Sequence, residues 1–214
     1  FLSANLPRLQ ALADDGHRAA KIAVAVCEPR ERTQAAILLG TNVATVVAAF
    51  LLAKAIRNGL FLEEHGAFRL VYVYAAVPVA VTILVPLHAR LASGRGRRAV
   101  HIGTLVFFSL TFVGFWYAFR FRPSPLLPTY FYVWVNCYGV IAPVQIWALA
   151  SSVFDTRQAR RLFGFIAGGA SLGSIVGGLL AWVLVSVAGR TEDLILVIVG
   201  LIAAAVGLAW VTWR

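Results

Sequence analysis

The most unusual chemistry in this sequence is a pair of cations at the end of a long apolar run. Lys54 and Arg57 are three positions apart, and Asn58 follows them. Residues three or four apart share a helix face, so the spacing predicts that both cations and the amide project together. Two cations that open into a water-filled cavity would bind a polyanion such as a phosphorylated solute. The alternative is that both side chains extend to the lipid headgroups and only anchor the helix.

A second group of polar residues lies in a later apolar run. Tyr138 and Gln145 are seven positions apart and share a helix face, whereas Asn136 points elsewhere. Such polar residues either line a solute pathway or form hydrogen bonds between helices, each worth about 0.6–2 kcal/mol. The candidate substrate-binding residues are therefore Lys54, Arg57, Asn58, Asn136, Tyr138 and Gln145.

A third pattern is a repeat of small residues. Gly169, Gly173 and Gly177 recur at every fourth position. Small residues at this spacing allow two helix backbones to approach closely. The pattern predicts a helix-packing seam along which a neighbouring helix slides or rocks, with static tight packing as the alternative.

Catalytic chemistry finds little support in the sequence. The four histidines are scattered without the spacing of metal ligands, and none of the nine acidic residues falls inside an apolar run. We therefore expect no metal site, no cofactor, no catalytic residue and no enzymatic activity.

The elements that must position these residues are predicted to be membrane-spanning helices. The chain has 214 residues, of which 60% are hydrophobic and 13% charged, with a mean hydropathy of +0.82. Soluble domains are about 45–50% apolar and about 25% charged, so a water-soluble enzyme and a disordered segment are excluded. A span needs about 20 apolar residues. Six such runs occur, at about 33–58, 68–88, 100–119, 129–154, 163–188 and 194–213.

The connections between these runs are short, which predicts that consecutive helices are antiparallel and adjacent. The expected fold is all-α, a compact six-helix transmembrane bundle over residues 33–214. Residues 1–32 are expected to form a cytoplasmic linker or an amphipathic segment. Because the chain starts at Phe1 and contains no methionine, it is expected to be part of a larger protein.

The charge distribution predicts orientation rather than nucleic-acid binding. The net charge is +10, but the 19 Lys and Arg residues punctuate apolar runs instead of covering one face. Most of them fall on the side that holds the N-terminus, which the positive-inside rule places in the cytoplasm. The abundance of Arg, Ala, Gly and Val indicates a bacterial genome, so the expected location is a bacterial inner membrane.

Two segments resemble one known family. Residues 50–62 (FLLAKAIRNGLFL) resemble the first-helix signature of ATP/ADP translocase-type nucleotide transporters. Residues 145–150 (QIWALA) and 154–164 (FDTRQARRLFG) look like the junction between spans four and five of that family, and the glycine-rich fifth helix follows. The resemblance covers roughly residues 33–214.

This resemblance implies the N-terminal six helices of a twelve-helix, major-facilitator-like transporter that works by alternating access. The implied partners are a C-terminal six-helix half, membrane lipid and a small anionic solute such as ATP or ADP. Lys54 occupies the place of a lysine that is important for transport in the family. Nucleotide-exchanging members carry a glutamate where this chain has Asn136. The resemblance therefore supports transport more strongly than it supports a nucleotide as the solute.

Two other functions stay open. Residues 9–16 and 40–42 are similar to the membrane domain of CorC-type magnesium transporters, although residues 85–88 do not supply the Glu-Pro-Lys-like element expected there. The chain could also be a non-transporting membrane anchor or sensor fused to a soluble domain, which the missing glutamate favours.

Overall fold

A computed structural model describes residues 11, 14–15, 18–153, 156–187 and 190–212. Over these residues the chain is almost entirely helical and has no strand, which confirms the all-α prediction. The helices are α1 (Arg18–His65), α2 (Leu70–Ala92), α3 (Arg97–Phe121), α4 (Leu127–Val153), α5 (Thr156–Val187) and α6 (Leu194–Thr212). Short 3₁₀ turns at Ala67–Arg69 and Thr191–Asp193 precede α2 and α6.

Within the described residues, five helices are long and apolar enough to cross a membrane. This confirms a polytopic helical membrane protein. The five segments are Ile37–His65, Ala67–Ala92, Arg98–Phe121, Ala167–Leu184 and Thr191–Trp210. The helix outside this set is α4, which carries no charged residue.

Helix α1 is longer than the predicted first span. It runs without a break from Arg18 to His65, over 48 residues, whereas the predicted first span begins at about residue 33. Residues 18–32 therefore add about 22 Å of helix at about 1.5 Å per residue. Part of the predicted N-terminal segment, at 1–10, 12–13 and 16–17, lies outside the described residues.

The prediction that consecutive helices are adjacent is wrong for most pairs. Helix α1 is central and packs against α4, α5 and α6, while α3 packs against α4 and α6, and α2 packs against α4. Among the described residues, α3 and α4 are the one consecutive pair with extensive contacts. A short loop brings helix ends together but does not decide which faces pack, because each helix buries the face that fits a neighbour most closely.

The packing pairs have an internal symmetry. Exchanging α1, α2 and α3 with α4, α5 and α6 converts the pair α1–α5 into α4–α2 and the pair α1–α6 into α4–α3, while α1–α4 and α3–α6 are unchanged. All six packed pairs therefore map onto packed pairs. Because α1 and α4 run in opposite directions, the two groups of three helices have inverted topology.

Four helices supply most of the core. Large and fully buried side chains come from α1, α3, α4 and α6, for example Leu52, Phe112, Phe131 and Ile198. Helices α2 and α5 lie at the periphery, and most of those side chains whose exposure is described are exposed. We call the end of the bundle with the turns at 66–69 and 122–126 the outer end, and the end with the turn at 93–96 the inner end.

Candidate functional site

Arg57 is a buried cation at the outer end of α1. Its side chain is only 4% exposed, and its Nε and Nη1 atoms have no hydrogen-bond partner among the described residues. No Asp or Glu in the described part of the chain forms an ion pair with it. Burying an unpaired charge costs several kcal/mol, so this guanidinium has unused capacity to bind an anion.

The Arg57 guanidinium lies over an aromatic ring. Its Cζ atom lies 4.2 Å from the ring centroid of Tyr132 on α4, which is a cation–π distance. The Tyr132 ring is 1% exposed and packs edge-on against Phe61 and Tyr74, with centroids 5.3 and 6.2 Å away. Helix α1 therefore supplies the charge and the Phe61 ring, and α2 and α4 supply the other two rings.

Lys54 and Asn58 lie beside Arg57 in different environments. Lys54, one turn earlier, is exposed on the surface of the bundle. Asn58 is partly buried, and its Oδ1 atom has no hydrogen-bond partner among the described residues. The cation on the surface and the cation in the interior therefore do not point into one enclosed pocket.

The three candidate residues on α4 separate along the helix. The Asn136 amide donates to the Tyr132 carbonyl at 2.9 Å, one turn from the Arg57 contact. Tyr138 is fully buried among Phe50, Phe108 and Phe112, and its hydroxyl has no partner among the described residues. From Asn136 to Gln145 the helix rises about 13 Å, so the six predicted residues do not converge on one point.

Gln145 belongs to a polar group at the inner end. Its Nε2 atom lies 3.5 Å from His88 Nε2, and the same histidine atom lies 2.9 Å from Thr104 Oγ1. The Thr104 hydroxyl donates to the Val100 carbonyl at 2.7 Å, so its oxygen is free to accept from the histidine. We call His88, Thr104 and Gln145, which join α2, α3 and α4, the inner polar group.

The glycines on α5 lie against α1. A Cβ atom added at Gly169 or Gly173 would lie 2.3 Å from the carbonyl oxygen of Gly40 or Ala44, and one added at Gly177 would lie 2.8 Å from the backbone of Ala48. Both helices therefore place small residues at every fourth position along one contact. Since α1 and α5 run in the same direction, these three glycine contacts form a seam between parallel helices.

Residues 40–42, which carry part of the similarity to CorC-type domains, have packing roles. Gly40 faces Gly169, and the Asn42 side-chain amide donates to the Ala205 carbonyl on α6 at 2.7 Å. The Thr41 hydroxyl donates to the Ile37 carbonyl of its own helix at 2.9 Å. Most of residues 9–16 lies outside the described residues.

Two features of the polar sites were not among the predictions from the sequence. Tyr132 is one of several aromatic residues in α4, and no sequence signal marks it as the ring beneath Arg57. The inner polar group had a usable signal, because His88, Thr104 and Gln145 all lie within about two to three turns of the same bundle end in the predicted spans. Among the described residues, no cluster of three His, Cys, Asp or Glu side chains could hold a metal ion.

Comparison with known proteins identifies no relative: no family model, curated protein or solved structure matches the chain.

Proposed function

We propose that the chain is the N-terminal half of a membrane transporter that moves an anionic solute by alternating access. The observation that carries this proposal is Arg57, a cation at 4% exposure without an ion-pair partner among the described residues. Charged side chains within membrane spans are energetically costly, and they almost always face a substrate pathway or pair with another group. An anionic group on the solute would supply the missing partner.

The packing pattern supports transport independently of Arg57. Two groups of three helices with inverted topology are the internal repeat of each six-helix half in major-facilitator transporters. The pairs α1–α5 and α4–α2 correspond under that repeat. This correspondence favours a second six-helix half as partner, with the solute held between the halves near the middle of the membrane.

Nucleotides are the first solutes to test. The motif around Lys54 and Arg57 favours a nucleotide such as ATP or ADP, while Asn136 in place of a glutamate favours other phosphorylated solutes. We also propose that the membrane is a bacterial inner membrane and that the N-terminus of α1 is cytoplasmic, because most Lys and Arg residues lie on that side.

Uptake into liposomes that contain the full-length protein tests this function. Labelled ATP and a labelled sugar phosphate are offered to the wild type, Arg57→Gln and Lys54→Gln. We expect Arg57→Gln to reduce uptake of the transported anion at least about tenfold, since a lost charge-assisted contact is worth about 1.5–3 kcal/mol. Arg69→Gln is the matched control, because Arg69 is an exposed cation at the same end, bonded to His65 at 3.1 Å. Unchanged uptake in Arg57→Gln and Lys54→Gln would remove both residues from the site.

A membrane anchor is the second candidate, and the length of α1 favours it. Residues 18–32 extend the helix ahead of the predicted apolar run, as a rigid connection to a soluble domain would. The parent gene separates the two functions: a second block of six apolar spans after Arg214 supports transport, and a soluble domain directly after it supports the anchor.

A further inference from the structure

A cavity of about 390 Å³ lies between α2, α3 and α4 toward the inner end. Its volume falls within the range of about 300–1,000 Å³ found for small-molecule sites. None of the six candidate substrate-binding residues lines it. The cavity is therefore separate from the surroundings of Arg57, and its lining must indicate its own ligand.

The lining is almost entirely apolar. It includes Leu84 and Leu91 from α2, Phe107 from α3, and Trp134 and Ile141 from α4. The polar residues in its described lining are His88, Thr104 and Arg95. His88 and Thr104 are bonded to each other, so most of the cavity offers only apolar contact. A nucleotide or other polyanion would lose its hydration there without gaining partners.

Several apolar walls of the cavity are exposed at the surface of the described bundle. Leu87, Leu91 and Phe107 line it and are 48%, 58% and 53% exposed. Helices α2 and α3 follow each other in the chain but do not pack extensively. A gap between two spans with half-exposed apolar walls is accessible to an acyl chain from the bilayer.

The mouth of the cavity at the inner end is cationic. Arg95 lies in the turn between α2 and α3, lines the cavity, and donates from Nη1 to the Leu91 carbonyl at the end of α2. Arg90, in the last turn of α2, is also an exposed cation but lies outside the cavity lining. Basic pockets between spans bind the headgroups of anionic lipids. We propose that this cavity binds one anionic phospholipid, with an acyl chain between α2 and α3 and the phosphate at Arg95.

Native mass spectrometry of the detergent-purified protein tests the site, with phosphatidylglycerol or phosphatidylcholine added in mixed micelles. We expect one tightly retained phosphatidylglycerol and a preference of about fivefold over phosphatidylcholine, the effect of one nearby cation. Arg95→Gln should remove this preference. Arg90→Gln, which changes a cation outside the cavity lining, should keep it. Equal preferences in these two variants would overturn the role of Arg95.

A cavity-filling variant tests the position of the acyl chain. Gly103 lines the cavity, and a Cβ atom added there would meet nothing within 4 Å, so Gly103→Leu can fill the space without a backbone clash. We expect this variant to lose the retained lipid. Gly114→Leu is the control, because Gly114 lies on the same helix, is equally open and is outside the cavity lining.

Two outcomes would overturn the proposal. The first is retention of the lipid by Gly103→Leu at the wild-type level, and the second is displacement of the lipid by ATP or by glycerol phosphate, which would assign the cavity to a soluble anion. If Gly103→Leu does not fold, Leu87→Trp narrows the same cavity from its exposed wall. Wild-type retention in that variant would equally contradict the site.

Discussion

The two ends of the bundle hold their polar side chains in different ways. At the inner end, His88 bonds to Thr104 at 2.9 Å, and Thr104 bonds onward to its own helix. At the outer end, Arg57 lies over the Tyr132 ring with two of its nitrogens unpartnered among the described residues. The inner polar group links α2 to α3 through the hydrogen bond between His88 and Thr104, whereas the outer cation has two nitrogens without a hydrogen-bond partner in the described chain.

His101 shows why charge, and not the missing hydrogen bonds alone, distinguishes the two ends. It lies one turn from Thr104, is 1% exposed, and neither ring nitrogen has a hydrogen-bond partner among the described residues. An imidazole can be neutral, so burying it unpaired costs about 1–3 kcal/mol. A guanidinium cannot lose its proton in a protein. The unpaired group at the outer end is therefore the more costly, and its retention calls for a function.

The largest effect should come from the α1–α5 seam, because α1 is central and both ends depend on it. In Gly173→Val the new Cβ would lie 2.3 Å from the Ala44 carbonyl oxygen, so the helices must separate. We expect a loss of about 3 kcal/mol or more in the free energy of unfolding, seen as a lower midpoint of thermal unfolding in detergent. Gly178→Val, where a Cβ meets nothing within 4 Å, should change it little. Equal midpoints in these two variants would show that α1 and α5 do not pack closely at Gly173.

His88→Leu should affect stability but not transport. It removes the hydrogen bond to Thr104 and the polar neighbour of Gln145, which is 9% exposed. We expect a loss of about 1–3 kcal/mol in the free energy of unfolding, with uptake of the anionic solute unchanged once the amount of folded protein is matched. Loss of uptake at unchanged stability would assign the inner polar group to the pathway and remove the contrast between the ends.

A smaller effect is expected for Thr129→Val at the outer end. The Thr129 hydroxyl lies 3.1 Å from His65 Nε2 and links α4 to the end of α1. Losing this partly buried bond should lower the free energy of unfolding by about 0.5–1.5 kcal/mol. Thr41→Val is the control, because the exposed Thr41 hydroxyl bonds only within its own helix, to Ile37. Equal effects in both variants would show that the outer link is not structural.

Some of this arrangement could be predicted from the sequence. The period of Gly169, Gly173 and Gly177 predicts close helix packing, because small residues at every fourth position lie on one line of a helix. The apolar runs predict all six helices, because hydropathy depends on composition and length alone. Neither signal depends on which helix is the neighbour.

Pairing between distant segments could not be predicted in the same way. The packing of α1 against α5, rather than against α2, depends on the fit between Gly40, Ala44 and Ala48 and the glycines of α5. The position of Tyr132 beneath Arg57 depends on how far α4 is shifted along α1. A single sequence carries no direct record of either relation. It therefore could not show that Lys54 lies on the surface and Arg57 in the interior.

Unfolding of the full-length wild type and of Arg57→Gln, each with and without ATP, tests most directly whether Arg57 binds an anionic partner. Without the anion, we expect Arg57→Gln to be at least as stable as the wild type, because the substitution removes an unpaired buried charge. With the anion at about 100 times its dissociation constant, the wild type should gain about 2.7 kcal/mol and the variant should gain little. Equal stabilisation of both proteins by ATP would contradict this role of Arg57. So would a loss of several kcal/mol in the free energy of unfolding of Arg57→Gln without ATP, since Arg57 would then be a structural residue.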